Sequence, residues 1–178
     1  MRTSARAAHA FRSIMFFENI PAKDTEVPQR GDQNREGRRM TDKDCIFCKI
    51  ANGEIPSASV YEDENFRVIL DMGPAAKGHA LILPKNHFKD LNELDEATAA
   101  KVLPLAGRIG AAMKKSLGCA GYNVVQNNGV EAGQTVFHFH VHVIPRYEGG
   151  PKMVEWEPGS STPEGLAETA KSIAQGLN

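Results

Sequence analysis

The stretch Thr135–Arg146, TVFHFHVHVIPR, places His138, His140 and His142 at every second position, interleaved with Phe137, Phe139, Val141 and Val143. Half of the six histidines in the 178-residue chain stand here. Strict alternation is the period of a β-strand, whose successive side chains point to opposite faces. Phe and Val favour such a strand, so the odd-numbered positions are expected to pack on a core and the imidazoles to share the other face. Neighbouring Cα atoms on that face stand roughly 6–7 Å apart and the outer pair roughly 13–14 Å apart. Two neighbours reach one ion, whereas all three meet at one tetrahedral metal only with a bend. The row better suits an extended polar ligand. The plain alternative is a polar row on the solvated face of an edge strand, and perfect periodicity at three positions weighs against it.

Such a strand needs a sheet around it. Residues 57–63 (SASVYED), 66–72 (FRVILDM), 79–85 (HALILPK) and 121–127 (GYNVVQN) supply four further strand patterns. The loop NGVEAGQ, residues 128–134, joins the last of them to the histidine row. From Asp95 to Leu117 the apolar residues Val102, Leu105, Ala106, Ile109 and Met113 keep helical spacing, and Gly118 stops the helix. Pro104 lies inside it and predicts a kink or a break. A short helix is expected in DCIFCKIANGE, residues 44–54, closed near Gly53. TPEGLAETAKSIAQGLN, residues 162–178, reads as a C-terminal helix with Thr162 as N-cap and Pro163 in the first turn. Strands joined mostly by short turns, with one long helix, predict an α+β antiparallel sheet.

The net charge of −1 offers no electrostatic reason for nucleic-acid binding, and no apolar run is long enough to span a bilayer. Three cysteines make no disulfide framework. Cys45 and Cys48 form a CxxC, a spacing that chelates zinc when two further ligands complete a tetrahedron. A redox CxxC is the alternative, but no thioredoxin-like βαβ pattern surrounds it. Cys119 follows the long helix and reads as a small core residue or an idle thiol. The first forty residues differ from the rest. Arg2, Arg6 and Arg12 stand there in a segment without acids until Glu18, followed by a polar linker. Two readings compete: an organellar presequence, or upstream sequence from an early start codon with Met40 nearer the true start. His9 receives no role.

The order of the pieces resembles the histidine triad (HIT) hydrolases, in the bacterial form of the Hint branch. The signature His-φ-His-φ-His-φ-φ, with φ apolar, is met by His138–Ile144, and CIFCKI, GHALILPKNH, NVVQNNG and AGQTVFHFHVHVIPR extend the likeness over roughly residues 44–147. The resemblance implies a HIT domain over residues 42–148, a C-terminal tail with a helix over 149–178, and an N-terminal extension, disordered or mis-started, over 1–41. The bacterial character favours the early-start reading and a cytoplasmic protein. It also implies a five-stranded antiparallel sheet with one long helix, two such sheets joining in a homodimer. The activity implied is hydrolysis of purine nucleoside phosphoramidates or related nucleotides substituted at the α-phosphate, through a nucleotidyl-histidine.

By position in the family's motifs, His140 would be the nucleophile and His142 would contact the α-phosphate. Gln134 and Thr135 would donate to phosphate oxygens or the leaving group, and Asn127 would meet ribose or phosphate. Asp71 would accept hydrogen bonds from the ribose hydroxyls. Phe47, Ile50, Phe66 and Met72 are candidates for the base pocket. His87 and His138 would join Cys45 and Cys48 as ligands of a structural zinc, and His79 would be structural. Trp156 lies in the C-terminal region that shapes leaving-group preference in the family. Three alternatives stand beside this reading. One is a nucleotide-binding interaction protein without turnover. The second is a hydrolase with a catalytic zinc held by triad histidines. The third is a dinucleoside polyphosphate hydrolase or nucleotidyl transferase of the same superfamily.

Overall fold

The computed structural model describes residues 40–151 and 158–177. The expectations for the N-terminal segment before Met40 and for Trp156 fall outside them. In chain order the elements are α1 (Ile46–Ala51), β1 (Ser59–Glu62), β2 (Phe66–Leu70), β3 (Ala80–Pro84), α2 (Glu96–Leu117), β4 (Gly121–Val125), a 3₁₀ turn (Val130–Ala132), β5 (Val141–Arg146) and α3 (Pro163–Gln175). The strands form one sheet in the order β1-β2-β3-β5-β4, every neighbour antiparallel. This is the α+β, five-stranded antiparallel architecture expected from the strand patterns.

Alternation along the strands divides the side chains between two layers. On one face Phe66, Val68, Ala80, Ile82, Val141 and Val143 pack with Val102, Leu105, Ala106, Ile109 and Met113 of α2. On the other, Ile69, Leu81 and Leu83 pack with Ala51 of α1. Leu81 is paired across the ladder with His142, so that imidazole shares the α1 face. The bland reading of the triad therefore fails: β5 lies between β3 and β4, and His138 and His140 are buried.

Helix α2 begins at Asp95, whose carboxylate accepts from the Thr98 N–H, and ends on Gly118 in the left-handed conformation. It runs through Pro104 as one helix, so of the kink or break expected there the break does not occur. Pro104 and Ala100, whose carbonyl it leaves without an intrahelical partner, are both exposed. Gly110 lets β4 approach the helix: a Cβ there would overlap the ring of Tyr122. At the C-terminus the Thr162 hydroxyl caps α3 by accepting from the Gly165 N–H. No helix of the described residues is long and apolar enough to cross a membrane.

The last strand begins later than the alternation predicts. Its ladder starts at Val141, and residues 136–140 lie outside it. Pro84, at the end of β3, has no N–H to continue the pairing. Its carbonyl instead accepts from Nε2 of His138 at 3.0 Å. The Phe139 N–H donates to the Phe88 carbonyl. The approach to β5 does not keep the expected alternation: Phe137 is exposed while His138, Phe139 and His140 are buried in succession, their polar groups bonded to the end of β3 and the β3–α2 connection.

Candidate active site and metal centre

The three triad histidines have different partners. Nδ1 of His140 lies 2.7 Å from the carbonyl oxygen of His138. A carbonyl can only accept, so the proton sits on Nδ1, and Nε2 keeps its lone pair. Phe47 of α1 stands edge-on to the His140 ring, centroids 5.1 Å apart. Burial lowers the basicity of His140, against the carbonyl and the Asp71 charge, which raise it. The neutral imidazole is therefore the favoured form near neutral pH.

His142 is ordered by a residue expected to be only structural. Nε2 of His79 lies 2.9 Å from Nδ1 of His142, and the Ala75 N–H donates to Nδ1 of His79 at 3.1 Å. That amide fixes the His79 lone pair on Nδ1, so its Nε2–H donates to His142, which must then carry its own proton on Nε2. Asp71 Oδ2 is 3.6 Å from Nδ1 of His79, within ion-pair range. Burial lowers the His79 pKa, and the short amide contact requires a lone pair on Nδ1, so the neutral imidazole is the consistent description. Burial, with His140 and His79 adding to it, pushes His142 down to about 4. Asp71 itself accepts from the Gly73 N–H and faces this cluster. His79 was legible as a histidine at a family position, but only the fold reveals its bond to His142.

The remaining triad member turns to the cysteines. Cys45, Cys48, His87 and His138 bring their ligand atoms within 4.8 Å of one another. Nδ1 of His138 is 3.5 Å from both Sγ atoms, and Nδ1 of His87 is 3.3 Å from Cys48 Sγ. Zinc–sulfur and zinc–nitrogen bonds of usual length at a tetrahedral angle put S and N roughly 3.6 Å apart. The four residues therefore fit a single tetrahedral ion. The second layer fits as well. Pro84 holds the His138 proton on Nε2 and leaves Nδ1 free to bind, and the Asp42 N–H donates to Cys48 Sγ at 3.3 Å. His138 is fully buried, and burial pushes it down to about 4. Burial likewise pushes the Cys48 thiol up to about 11, so a thiolate here calls for a neighbouring cation.

Gln134 departs from its expected role. It is buried, its Nε2 donates to the carbonyls of Lys89 and Val136, and its Oε1 accepts from the Gly129 N–H. Both amide protons are used, so the side chain fastens the loop before the triad rather than offering a donor to phosphate. Thr135 beside it is exposed, and Asn127 is half-buried on the strand side of the same loop. Of the base-pocket candidates, Phe47 adjoins His140, and Ile50 packs with it on the α1-side core. Phe66 is instead core beneath α2, and Met72 is 98% exposed.

The family model for the HIT domain matches residues 52–149. A solved HIT-family protein from Bacillus subtilis superposes with a TM-score of 0.70 at 40% identity, covering 75% of this chain and 96% of that one. The adenosine 5′-monophosphoramidase hnt1 of Schizosaccharomyces pombe is 43% identical over 102 residues, 57% of this chain and 74% of that protein. A zinc-bound histidine triad family protein from Mycobacterium smegmatis matches with a TM-score of 0.59 at 37% identity, covering 74% of this chain and 94% of that one.

Proposed function

The chain belongs to the HIT family, and on that premise we propose that it hydrolyses purine nucleoside phosphoramidates or related α-phosphate-substituted nucleotides through a nucleotidyl-His140 intermediate. The observation that carries this reading is the 2.7 Å bond from His140 Nδ1 to the His138 carbonyl. It aims an unprotonated Nε2 away from the backbone, in the tautomer a nucleophile needs. The named activity of the S. pombe relative supports the substrate class.

In the first step Nε2 of His140 attacks the α-phosphorus as the bond to the leaving amine breaks, and the amine departs with a proton from solvent that the attacking water gives back in the second step. In the second, water cleaves the phosphorus–nitrogen bond to His140, releasing the nucleoside monophosphate and restoring the imidazole. His142, with its proton on Nε2, donates to a phosphate oxygen on which charge develops. Thr135 and Asn127 line the same loop as further donors, and Asp71 accepts from the ribose hydroxyls. Zinc bound by Cys45, Cys48, His87 and His138 would supply a structural cross-link between the α1 segment, the stretch after β3 and the approach to β5.

Parallel incubations with adenosine 5′-phosphoramidate and with diadenosine polyphosphates test the assignment. Faster turnover of the phosphoramidate supports it, and preference for the dinucleotide moves the chain to the alternative activity within the superfamily. We also propose a homodimer. Sedimentation equilibrium should show a two-chain species at micromolar concentration, and a stable monomer would contradict it.

A further inference from the structure

His138 is engaged at both its ends. Its side chain presents Nδ1 to the two sulfurs, while its own backbone carbonyl holds the Nδ1 proton of His140. The imidazole is fixed on its far side by Pro84 and is wholly buried, with Phe47 edge-on to both it and His140. Phe47 lies in the helix between Cys45 and Cys48, so the same short segment carries the thiols and the ring that buttresses the nucleophile. Residues 136–140 also lack a strand ladder to hold them. The peptide that carries the carbonyl orienting His140 is therefore held by two anchors, the His138 ring and the Phe139 N–H on the Phe88 carbonyl, and each stands on or beside a member of the cluster, His138 or His87.

We propose that His138 is a positioning residue for the reaction, through which an ion on Cys45, Cys48, His87 and His138 sets the orientation of His140, so that metal occupancy governs turnover as well as fold. The inference rests on the assignment of His140 as nucleophile and of the cluster as a zinc site. With the ion bound, the His138 ring is fixed at two nitrogens and its carbonyl is held in line with His140. Without it, Nδ1 faces two thiols that are poor substitutes for a metal bond. The ring gains freedom, the carbonyl shifts with it, and His140 samples tautomers and angles that do not attack phosphorus. The phosphate donor His142 is held by the β5 ladder and His79, and Asp71 follows β2, so ground-state nucleotide binding is spared.

The test compares the full chain loaded with zinc, the same protein stripped by a chelator, and Cys45→Ser. Adenosine 5′-phosphoramidate is the substrate, and circular dichroism reports the folded fraction. Per folded molecule, kcat should fall roughly ten- to a hundredfold on metal loss, KM should stay within about a factor of two, and zinc should restore the stripped protein. The ¹⁵N-detected Nδ1–H resonance of His140, slow to exchange in the loaded protein, should shift and exchange faster after stripping. Should the metal-free forms unfold, cadmium-substituted wild type gives the answer. Its longer metal–ligand bonds must then move the His140 Nδ1–H resonance and lower kcat together, with KM unchanged. Unchanged kcat in folded metal-free protein, or a cadmium protein whose kcat and His140 resonance match those of the zinc form, overturns the inference. In either case His140→Ala remains inactive if the nucleophile assignment holds, which separates the failure of this inference from failure of the underlying reading. Wild type free of zinc as purified and indifferent to its addition would instead sink the metal assignment.

Discussion

The carbonyl oxygen of His138 accepts the Nδ1 proton of His140 at 2.7 Å. One triad member thus decides which nitrogen of the next is free to react. The row of histidines divides in two, with His138 turned to the Cys45 and Cys48 sulfurs and His140 and His142 left for the proposed nucleotide site. The alternation that places them two residues apart makes the division possible, because the carbonyl of one lies within reach of the ring of the next.

His79 should matter to activity although it reaches substrate only through His142. His79→Phe removes the donor to His142 Nδ1 and frees that ring to take the wrong tautomer. Loss of one hydrogen bond of this kind predicts a fall in kcat of roughly tenfold. His79→Gln can still donate to His142 and should recover part of the loss. Steady-state kinetics of the two variants check this, and equal activities for Phe and Gln would contradict the tautomer argument.

Gln134→Ala should destabilise the fold. It leaves the Gly129 N–H and the carbonyls of Lys89 and Val136 without their buried partner. The expected cost is about 1–3 kcal/mol. Gln134→Glu keeps the acceptor for Gly129 but sets an oxygen against two carbonyls, so it should give no rescue. Urea denaturation of the three proteins measures the difference.

Acid should weaken the protein earlier than carboxylate titration alone would. His138 and His142 are held near 4 in the folded chain, against an ordinary histidine value of 6.5. Between these values the unfolded chain binds more protons than the folded one, so stability rises with pH there. The contribution is complete above about pH 6.5 and is lost as pH falls toward 4. A zinc ion on His138 would strengthen this dependence, because protons compete with metal for the same nitrogen. Melting temperatures from pH 7.5 to 4.5, with and without a chelator, give both slopes.

Much of the sheet was legible because each strand repeats one simple rule. FRVILDM and HALILPK each announce a strand, although β2 ends at Leu70 and β3 spans only Ala80–Pro84, and the apolar spacing of Val102, Leu105, Ile109 and Met113 fixes the buried face of α2. The start of β5 was not legible, since the alternation runs on through His138 and His140 while the pairing stops where Pro84 lacks an N–H. Pro104 misled for a related reason: its effect depends on whether the stretch carrying the freed Ala100 carbonyl is exposed, which only tertiary packing decides. CxxC spacing pointed to a metal, but the meeting of Cys48 with His87 and His138 depends on how three segments cross. Gln134 and His79 mark the limit of reading by position. Their types and places were visible, and their hydrogen-bond partners, which define what they do, lie far away in sequence.

The most direct test of the account is capture of the covalent intermediate. The wild type is mixed with adenosine 5′-phosphoramidate, quenched within the first turnovers and analysed by intact-mass and peptide mass spectrometry. The account predicts an adenylyl adduct on the peptide bearing His140, localised to that residue. His140→Ala should show no adduct, should still bind adenosine monophosphate, and should lose activity by roughly a thousandfold or more. An adduct on another residue, or substantial turnover by His140→Ala, would contradict it.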